Sequence, residues 1–323
     1  MSKCLGCGIE LQDKNPNADG YVSDNDLRFC LRCFRLKNYG ENRIVNRNNV
    51  NYMSILNSIK QSDIVFYVAS LLTMNLDYID KFSSAILVLT KRDVIPKSVK
   101  DGKIINYIKK RYSNISDVII VSAKKKNNLD ALYNKICKVK DGKIYFVGAT
   151  NSGKSTLINQ LISSYSNNEG NITMSAFPST TLDTVPVKIG DTMVIDTPGI
   201  VNDESIINLL DIKDLKKINS KREIKPVTFQ INGEGSIVIS NFFRIDYKTY
   251  ESSLTFYMSN DIPIKSISKK NDMLMHQNKN VFESLNNEDI VIDDIGFIKV
   301  TKNTDLIFYY EKMASFKRRD NLI

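Results

Sequence analysis

Several short runs in this chain hold side chains spaced for phosphate and metal chemistry. Gly148-Ala149-Thr150-Asn151-Ser152-Gly153-Lys154-Ser155 fits Gly-x4-Gly-Lys-Ser, a loop whose backbone amides cradle phosphates when it joins a strand to a helix. The loop amides and the helix N-terminus, through Thr156, bind the anion. Lys154 then reaches the β- and γ-phosphates, and the Ser155 hydroxyl is a ligand for Mg2+. Asp196-Thr197-Pro198-Gly199 begins 41 residues after Ser155 (155 to 196). There Asp196 holds the metal through water, and the Gly199 amide senses the γ-phosphate. Asp-x-x-Gly alone is a common turn, so it is the spacing that makes it informative.

Two earlier runs are suited to a purine base. In Thr90-Lys91-Arg92-Asp93 the Asp93 carboxylate accepts from both guanine N1-H and the N2 amino group. Adenine offers neither donor, so ATP leaves that charge unpaired, which selects GTP and GDP. Lys91 packs over the nucleotide and braces the phosphate loop, while Thr90 stands where Asn is common. Ser122-Ala123-Lys124 follows, with Ser122 lying 29 residues after Asp93 (93 to 122), and the Ala123 backbone is placed to contact guanine O6. Base recognition thus precedes phosphate recognition, the reverse of the usual order, as in a circularly permuted GTPase.

Hydrolysis needs further groups. Phe177-Pro178-Ser179-Thr180-Thr181-Leu182 has the character of a first switch, with Thr181 the candidate second hydroxyl on Mg2+ and Thr180 the alternative. Ile200 follows Gly199, where Ras-like proteins carry a water-orienting Gln, so intrinsic turnover is expected to be slow. Asn151 sits where GTPases of the Era and MnmE type hold K+ near the β/γ bridge, which implies potassium-stimulated hydrolysis. The competing role for Asn151 is to bond its own loop. Lys154, Asn151, Thr181 and Gly199 are the candidate catalytic set.

The chain also carries Cys4-x-x-Cys7 and Cys30-x-x-Cys33, with 22 residues between the pairs. Four thiolates fit a tetrahedral Zn2+ site, which staples a segment that has too little apolar sequence for a core of its own. A redox role lacks the βαβ context. Cys137, alone in a helical pattern, is expected to be a small buried hydrophobe. His276, the only histidine, cannot build a metal site by itself.

The elements that must position these groups are legible in the hydrophobic pattern. Five runs, 63–68, 85–89, 118–121, 144–147 and 193–195, read as buried strands. Stretches 99–112 and 129–139 read as helices, and 156–162 opens another. This is an α/β fold, a doubly wound and mostly parallel sheet with the motifs at its carboxyl ends. Three domains are expected: a zinc finger at 1–45, the permuted P-loop GTPase domain at 46–210 and a β-rich domain at 211–323. The helix over 129–139 feeds the phosphate-loop strand, and 196–200 lies near the exit into the last domain, a short path for a γ-phosphate signal.

Composition narrows the partners. The net charge is +9, and residues 28–47 hold six basic residues against one acid, Glu41. Residues 211–323 carry 18 basic and 16 acidic side chains, a balance of only +2, so the stripe after Cys30 is the better RNA candidate. No apolar run approaches the roughly 20 residues that span a bilayer, and no secretory signal opens the chain. A cytoplasmic, monomeric protein with no membrane partner is expected.

With these residues assembled, the sequence resembles the YqeH family of circularly permuted GTPases. The likeness rests on Cys4-x-x-Cys7, on Cys30 to Tyr39, on the permuted motif order and on the Asn-bearing phosphate loop. It implies a treble-clef-like zinc finger, a β-rich C-terminal domain touching RNA or protein, and assembly of the small ribosomal subunit as the task. Thr90, Ser179 and the non-acidic Ala69-Ser70-Leu71-Leu72 depart from that pattern. The competing view is a nucleotide-gated RNA or protein binding module with negligible hydrolysis.

Overall fold

The computed structural model describes residues 10–14, 21–22, 49–166, 184–200, 202, 205–210, 212–267 and 278–323. Cys4, Cys7, Cys30, Cys33, the 177–182 segment with Thr180 and Thr181, and His276 lie outside the described residues. Two compact units divide the chain. The first is Met1–Ala69, Leu76–Thr90 and Asn114–Val201, and the second is Ser70–Asn75, Lys91–Ser113 and Asn202–Ile323.

The first unit is built on a six-stranded mixed sheet. Its strands are β1 (Ile64–Ser70), β2 (Ala85–Thr90), β3 (Ile115–Ile120), β4 (Ile144–Gly148), β5 (Val185–Ile189) and β6 (Thr192–Asp196), in the order β3-β2-β1-β4-β6-β5. β2 with β3, β1 with β4 and β4 with β6 run parallel, and β5 closes the edge antiparallel to β6. The inner strands are apolar at nearly every position because both faces are covered. One face presents Phe66, Val88, Phe146 and Val194 to the amphipathic helices α3 (Leu129–Cys137) and α4 (Lys154–Tyr165). Phe66 and Phe146, paired across β1 and β4, stack with ring centroids 5.2 Å apart. On the other face the Tyr67 ring meets Phe82 edge-on at 6.3 Å. A helix, α1 (Asn49–Ser58), precedes the sheet.

Cys137 corrects an expectation. Leu129, Leu132 and Ile136 form the buried stripe of α3, and the next residue along the helix turns away, so the Cys137 thiol is exposed.

The second unit holds α2 (Asp101–Arg111), α5 (Ile212–Ile218) and an antiparallel sheet of β7 (Val227–Ile239), β8 (Phe243–Met258), β9 (Ile264–Ile267), β10 (Asn278–Leu285), β11 (Glu288–Ile292), β12 (Gly296–Val300), β13 (Thr304–Tyr310) and β14 (Phe316–Asp320). β8 organises it, pairing with β7 along its length, with β13 through Arg244–Thr249 and with β12 through Leu254–Met258. Phe243, Phe256, Phe297 and Phe308 fill the core. Arg244 is also buried, at 1% exposure, and is neutralised within the sheet. Its Nε donates to Asp246 Oδ1 at 2.7 Å, and Ser236 Oγ accepts from Arg244 Nη2 at 3.1 Å while donating to the same carboxylate at 2.6 Å. Among the described residues no helix is long and apolar enough to cross a membrane.

The Arg244–Asp246 pair gives a stability test. Asp246→Ala is expected to cost about 3–5 kcal/mol, because it strands a buried guanidinium, whereas replacing both residues by apolar ones of similar size should recover most of that. Denaturant unfolding of the full chain measures both; a single variant as stable as the parent would refute the pairing.

Candidate guanine-nucleotide site

The motifs of the first unit meet because its parallel strands end together. Gly148 lies opposite Val68, Asp196 opposite Phe146 and Ile120 opposite Leu89, so the loops that follow β4, β6 and β3 leave the same edge of the sheet. That edge is where open α/β sheets hold ligands.

The phosphate loop takes its shape from close approaches and left-handed residues. A Cβ on Gly148 would lie 2.3 Å from the Val68 carbonyl, so only glycine fits beside β1. Asn151 (φ 61) and Gly153 (φ 88) adopt the left-handed conformation that curls the loop into the start of α4. Asn tolerates that conformation better than most residues, so Asn151 serves the backbone whatever else it binds. Thr150 N donates to Ile200 O at 2.8 Å, and Ile200 N donates to Gly148 O at 3.0 Å. These bonds carry the β4–β6 pairing past the ends of both strands, as a parallel bridge between Ala149 and Ile200. Gly199 lies against Thr150, where a Cβ would come within 3.1 Å of the threonine methyl. Ile200 is buried, so the residue after Gly199 is a backbone tie and an apolar plug.

Lys154 projects back from the first turn of α4. Its Nζ donates to Asp196 Oδ1 and to the Thr197 carbonyl oxygen, with the lysine side chain only 6% exposed. Thr197 is anchored in turn, its Oγ1 donating to Phe146 O at 2.9 Å. The residue expected on the β- and γ-phosphates and the residue expected on the metal are therefore direct charge partners. Asp196 and the Ser155 hydroxyl are hard oxygen donors of the kind Mg2+ takes, and the ion usually completes its shell with phosphates and water. That donor set fits the metal. Among the described residues no group of three or more His, Cys, Asp or Glu is placed to hold a metal. Thr156, the last of the expected loop residues, is exposed.

The base-side residues of this unit are fixed by strand ends as well. Val121 N donates to Leu89 O at 2.8 Å, which sets Ser122-Ala123-Lys124 beside the end of β2. Ser122 and Asn127 exchange backbone bonds at 3.0 and 3.1 Å, and the Ser122 Oγ accepts from Lys125 N at 3.0 Å. The Ala123 backbone is thereby held in a tight turn. Thr90, 2% exposed, donates its hydroxyl to the Ser152 carbonyl of the phosphate loop, with the Ala69 carbonyl 3.3 Å away. The short threonine thus ties the base motif to the phosphate loop.

Lys91 and Asp93 belong to the second unit. Lys91 is left-handed (φ 60) and leads into a 3-10 turn, Arg92–Val94. Burial pulls its ammonium below the usual lysine range, against the opposing pull of Asp294 and Asp93. Arg92 secures the segment beyond: its Nε donates to Asp101 at 2.5 Å, Nη1 to Ile95 O at 3.1 Å and Nη2 to Val99 O at 2.7 Å.

Two supports leave little trace in the sequence. Arg92 stands between the two residues expected to read the base, and Asp101 nine residues on is the only hint of its role. Tyr52, on α1, buries its phenol near Thr197 and the Gly148 backbone, and burial pushes its pKa far above the ordinary phenol value. Nothing in its local sequence marks it. The expected Thr181 and the four cysteines fall outside the described residues.

A base motif ahead of a phosphate loop, both on the carboxyl edge of a parallel sheet, defines a circularly permuted GTPase. Residues 33–205 match the RsgA GTPase family. The chain is 34% identical over 286 residues to YqeH of Bacillus subtilis, covering 83% of this chain and 78% of that protein. It is 28% identical over 187 residues to the small ribosomal subunit biogenesis GTPase RsgA of Clostridium beijerinckii, covering 57% of this chain and 59% of that one. YjeQ of Thermotoga maritima is a remote structural likeness, with 21% identity and a TM-score of 0.32 over 47% of this chain and 56% of that one. The chain belongs to the RsgA GTPase family, among its YqeH-type members, and is a GTP-hydrolysing enzyme. Membership brings GTP and GDP as ligands, with Mg2+.

Thr90→Val removes the hydroxyl and leaves the buried Ser152 carbonyl without its donor, a loss of about 1–3 kcal/mol. GDP affinity should fall roughly tenfold, while Thr90→Ser stays within about twofold of the parent. Titration with a fluorescent GDP analogue reads this; an unchanged Thr90→Val would refute the tie.

Proposed function

We propose that this GTPase acts in assembly of the small ribosomal subunit, associating with rRNA or ribosomal proteins according to its nucleotide. The relatives from Clostridium beijerinckii and Malacoplasma penetrans carry that task in their names, which supports the reading. The basic stripe of residues 28–47 is the proposed RNA contact. Cys4, Cys7, Cys30 and Cys33 are proposed to hold Zn2+ beside it, in a protein that works as a cytoplasmic monomer.

One observation carries the hydrolytic part: Lys154 is held between Asp196 and the Thr197 carbonyl at the mouth of the phosphate loop. Lys154 exchanges these partners for phosphate oxygens and draws off charge as the γ-phosphoryl bond breaks. Asp196, Ser155 and the switch hydroxyl of Thr181 would hold Mg2+, which would supply positive charge to the phosphates. Asp93 and Lys91 of the second unit, and Thr90, Ser122, the Ala123 backbone and Lys124 of the first, are the residues proposed to select guanine. Ile200 supplies nothing to align water, so K+ held by Asn151 and the ribosomal particle are proposed as the activators.

The second reading is a nucleotide-gated binding module, favoured by the burial of Ile200 and the pinning of both its backbone groups. Turnover in KCl against NaCl at equal ionic strength, with and without 30S subunits, decides. We expect at least about tenfold acceleration by one or both, about 1.4 kcal/mol of barrier. No acceleration by either would contradict K+ and the ribosomal particle as activators and favour a nucleotide-gated module whose turnover stays slow.

A further inference from the structure

The turn expected to read guanine is built into the same compact unit as the C-terminal β-sheet. Two hydrogen bonds fasten it there. Ile224 N donates to Val94 O at 2.9 Å, at the end of the 3-10 turn, and Lys97 N donates to Glu223 Oε1 at 2.8 Å. Val94, Ile95 and Ile224 are all buried, so the joint is apolar as well as hydrogen-bonded.

The strap that makes these bonds, Glu223 to Lys225, is itself held from the sheet. Asn260, in the turn after β8, donates from Nδ2 to Glu223 O at 2.9 Å and accepts from Lys225 N at 2.8 Å through Oδ1. One side-chain amide thus pairs with the strap as another strand would. Elsewhere in the unit, the turn between β11 and β12 carries Asp293 and Asp294. Asp294 accepts from Ser205 Oγ at 2.6 Å and Asp293 from Asn202 Nδ2 at 2.8 Å, and Asp294 is the acid whose charge most supports Lys91.

We propose that Glu223 and Asn260 are positioning residues for guanine recognition: the clasp they form sets the Lys91–Asp93 turn, so the C-terminal unit governs affinity for the base. The proposal rests on the assignment of Asp93 to guanine. It also gives that unit a route to nucleotide exchange, because whatever displaces the strap releases the base. By linkage, a partner that changes GDP affinity through the strap is itself bound differently with and without GDP.

The test compares two probes on the full chain: GDP, which uses the base turn, and inorganic tripolyphosphate, which does not. Asn260→Ala and Glu223→Ala should each weaken GDP about tenfold and leave tripolyphosphate within about twofold. Glu223→Gln keeps a carbonyl acceptor for Lys97 N and should restore GDP binding. In an Asp93→Ala background, Asn260→Ala should add no further loss, because both act through one contact. Equal losses for GDP and tripolyphosphate, or unchanged GDP affinity in both alanine variants, would overturn the proposal alone. Asp93→Asn, expected to move preference from guanine toward xanthine nucleotides, tests the assignment beneath it. An unmoved preference would overturn both.

Discussion

The site of the first unit depends on one backbone contact, the parallel pairing of Ala149 with Ile200 beyond the ends of β4 and β6. A phosphate loop has to keep its amides free for an anion, so its other polar groups need partners that leave its mouth open. Here the Asp196–Gly199 segment and the residue after it supply them: Ile200 O takes the Thr150 amide, and Gly148 O takes the Ile200 amide. Gly199 must then pass so close to Thr150 that a side chain there would crowd the loop. The same pairing brings Asp196 and the Thr197 carbonyl within reach of Lys154. It also settles the role of Ile200, because a residue pinned at both backbone groups and buried at its side chain is part of the frame.

Permuting the motifs redistributes this machinery along the chain. Thr90 ends β2 in the first unit and bonds the phosphate loop, yet the next residue, Lys91, begins a segment that is compact with the C-terminal sheet. The chain leaving Asp196–Gly199 enters the same unit at Asn202, where it is met by Asp293 and Asp294. The motif order suggests a short route from the second switch to the last domain. Within the second unit, hydrogen bonds join the end of the guanine motif to the strap before β7.

Much of this is legible in the amino-acid pattern, for reasons that can be named. The strands at Ala85–Thr90 and Ile144–Gly148 fall where apolar runs put them, because a strand covered on both faces has to be apolar throughout. The phosphate loop announces itself through Gly148 and Gly153, positions where a side chain would clash or strain. The antiparallel β5 does not, because its mostly exposed Val-Pro-Val-Lys-Ile sequence lacks that signature. Residue type places Cys137 inward, and the helix stripe, one residue out of phase, overrules it. Thr90 reads only as a replacement for asparagine; its hydroxyl, bonded to Ser152 across 62 residues, is invisible to local pattern. Asn260 and Glu223 carry no motif at all, since their partners are backbone atoms.

The most direct test of this site is a crystal structure of the full chain with GDP and Mg2+. The phosphates are expected on the amides of Gly148–Ser155, the metal beside Ser155 and Asp196, and the guanine edge on the Asp93 carboxylate with the Ala123 backbone at O6. A nucleotide whose phosphates occupy the loop while the base lies away from Asp93 and Ala123 would contradict that arrangement.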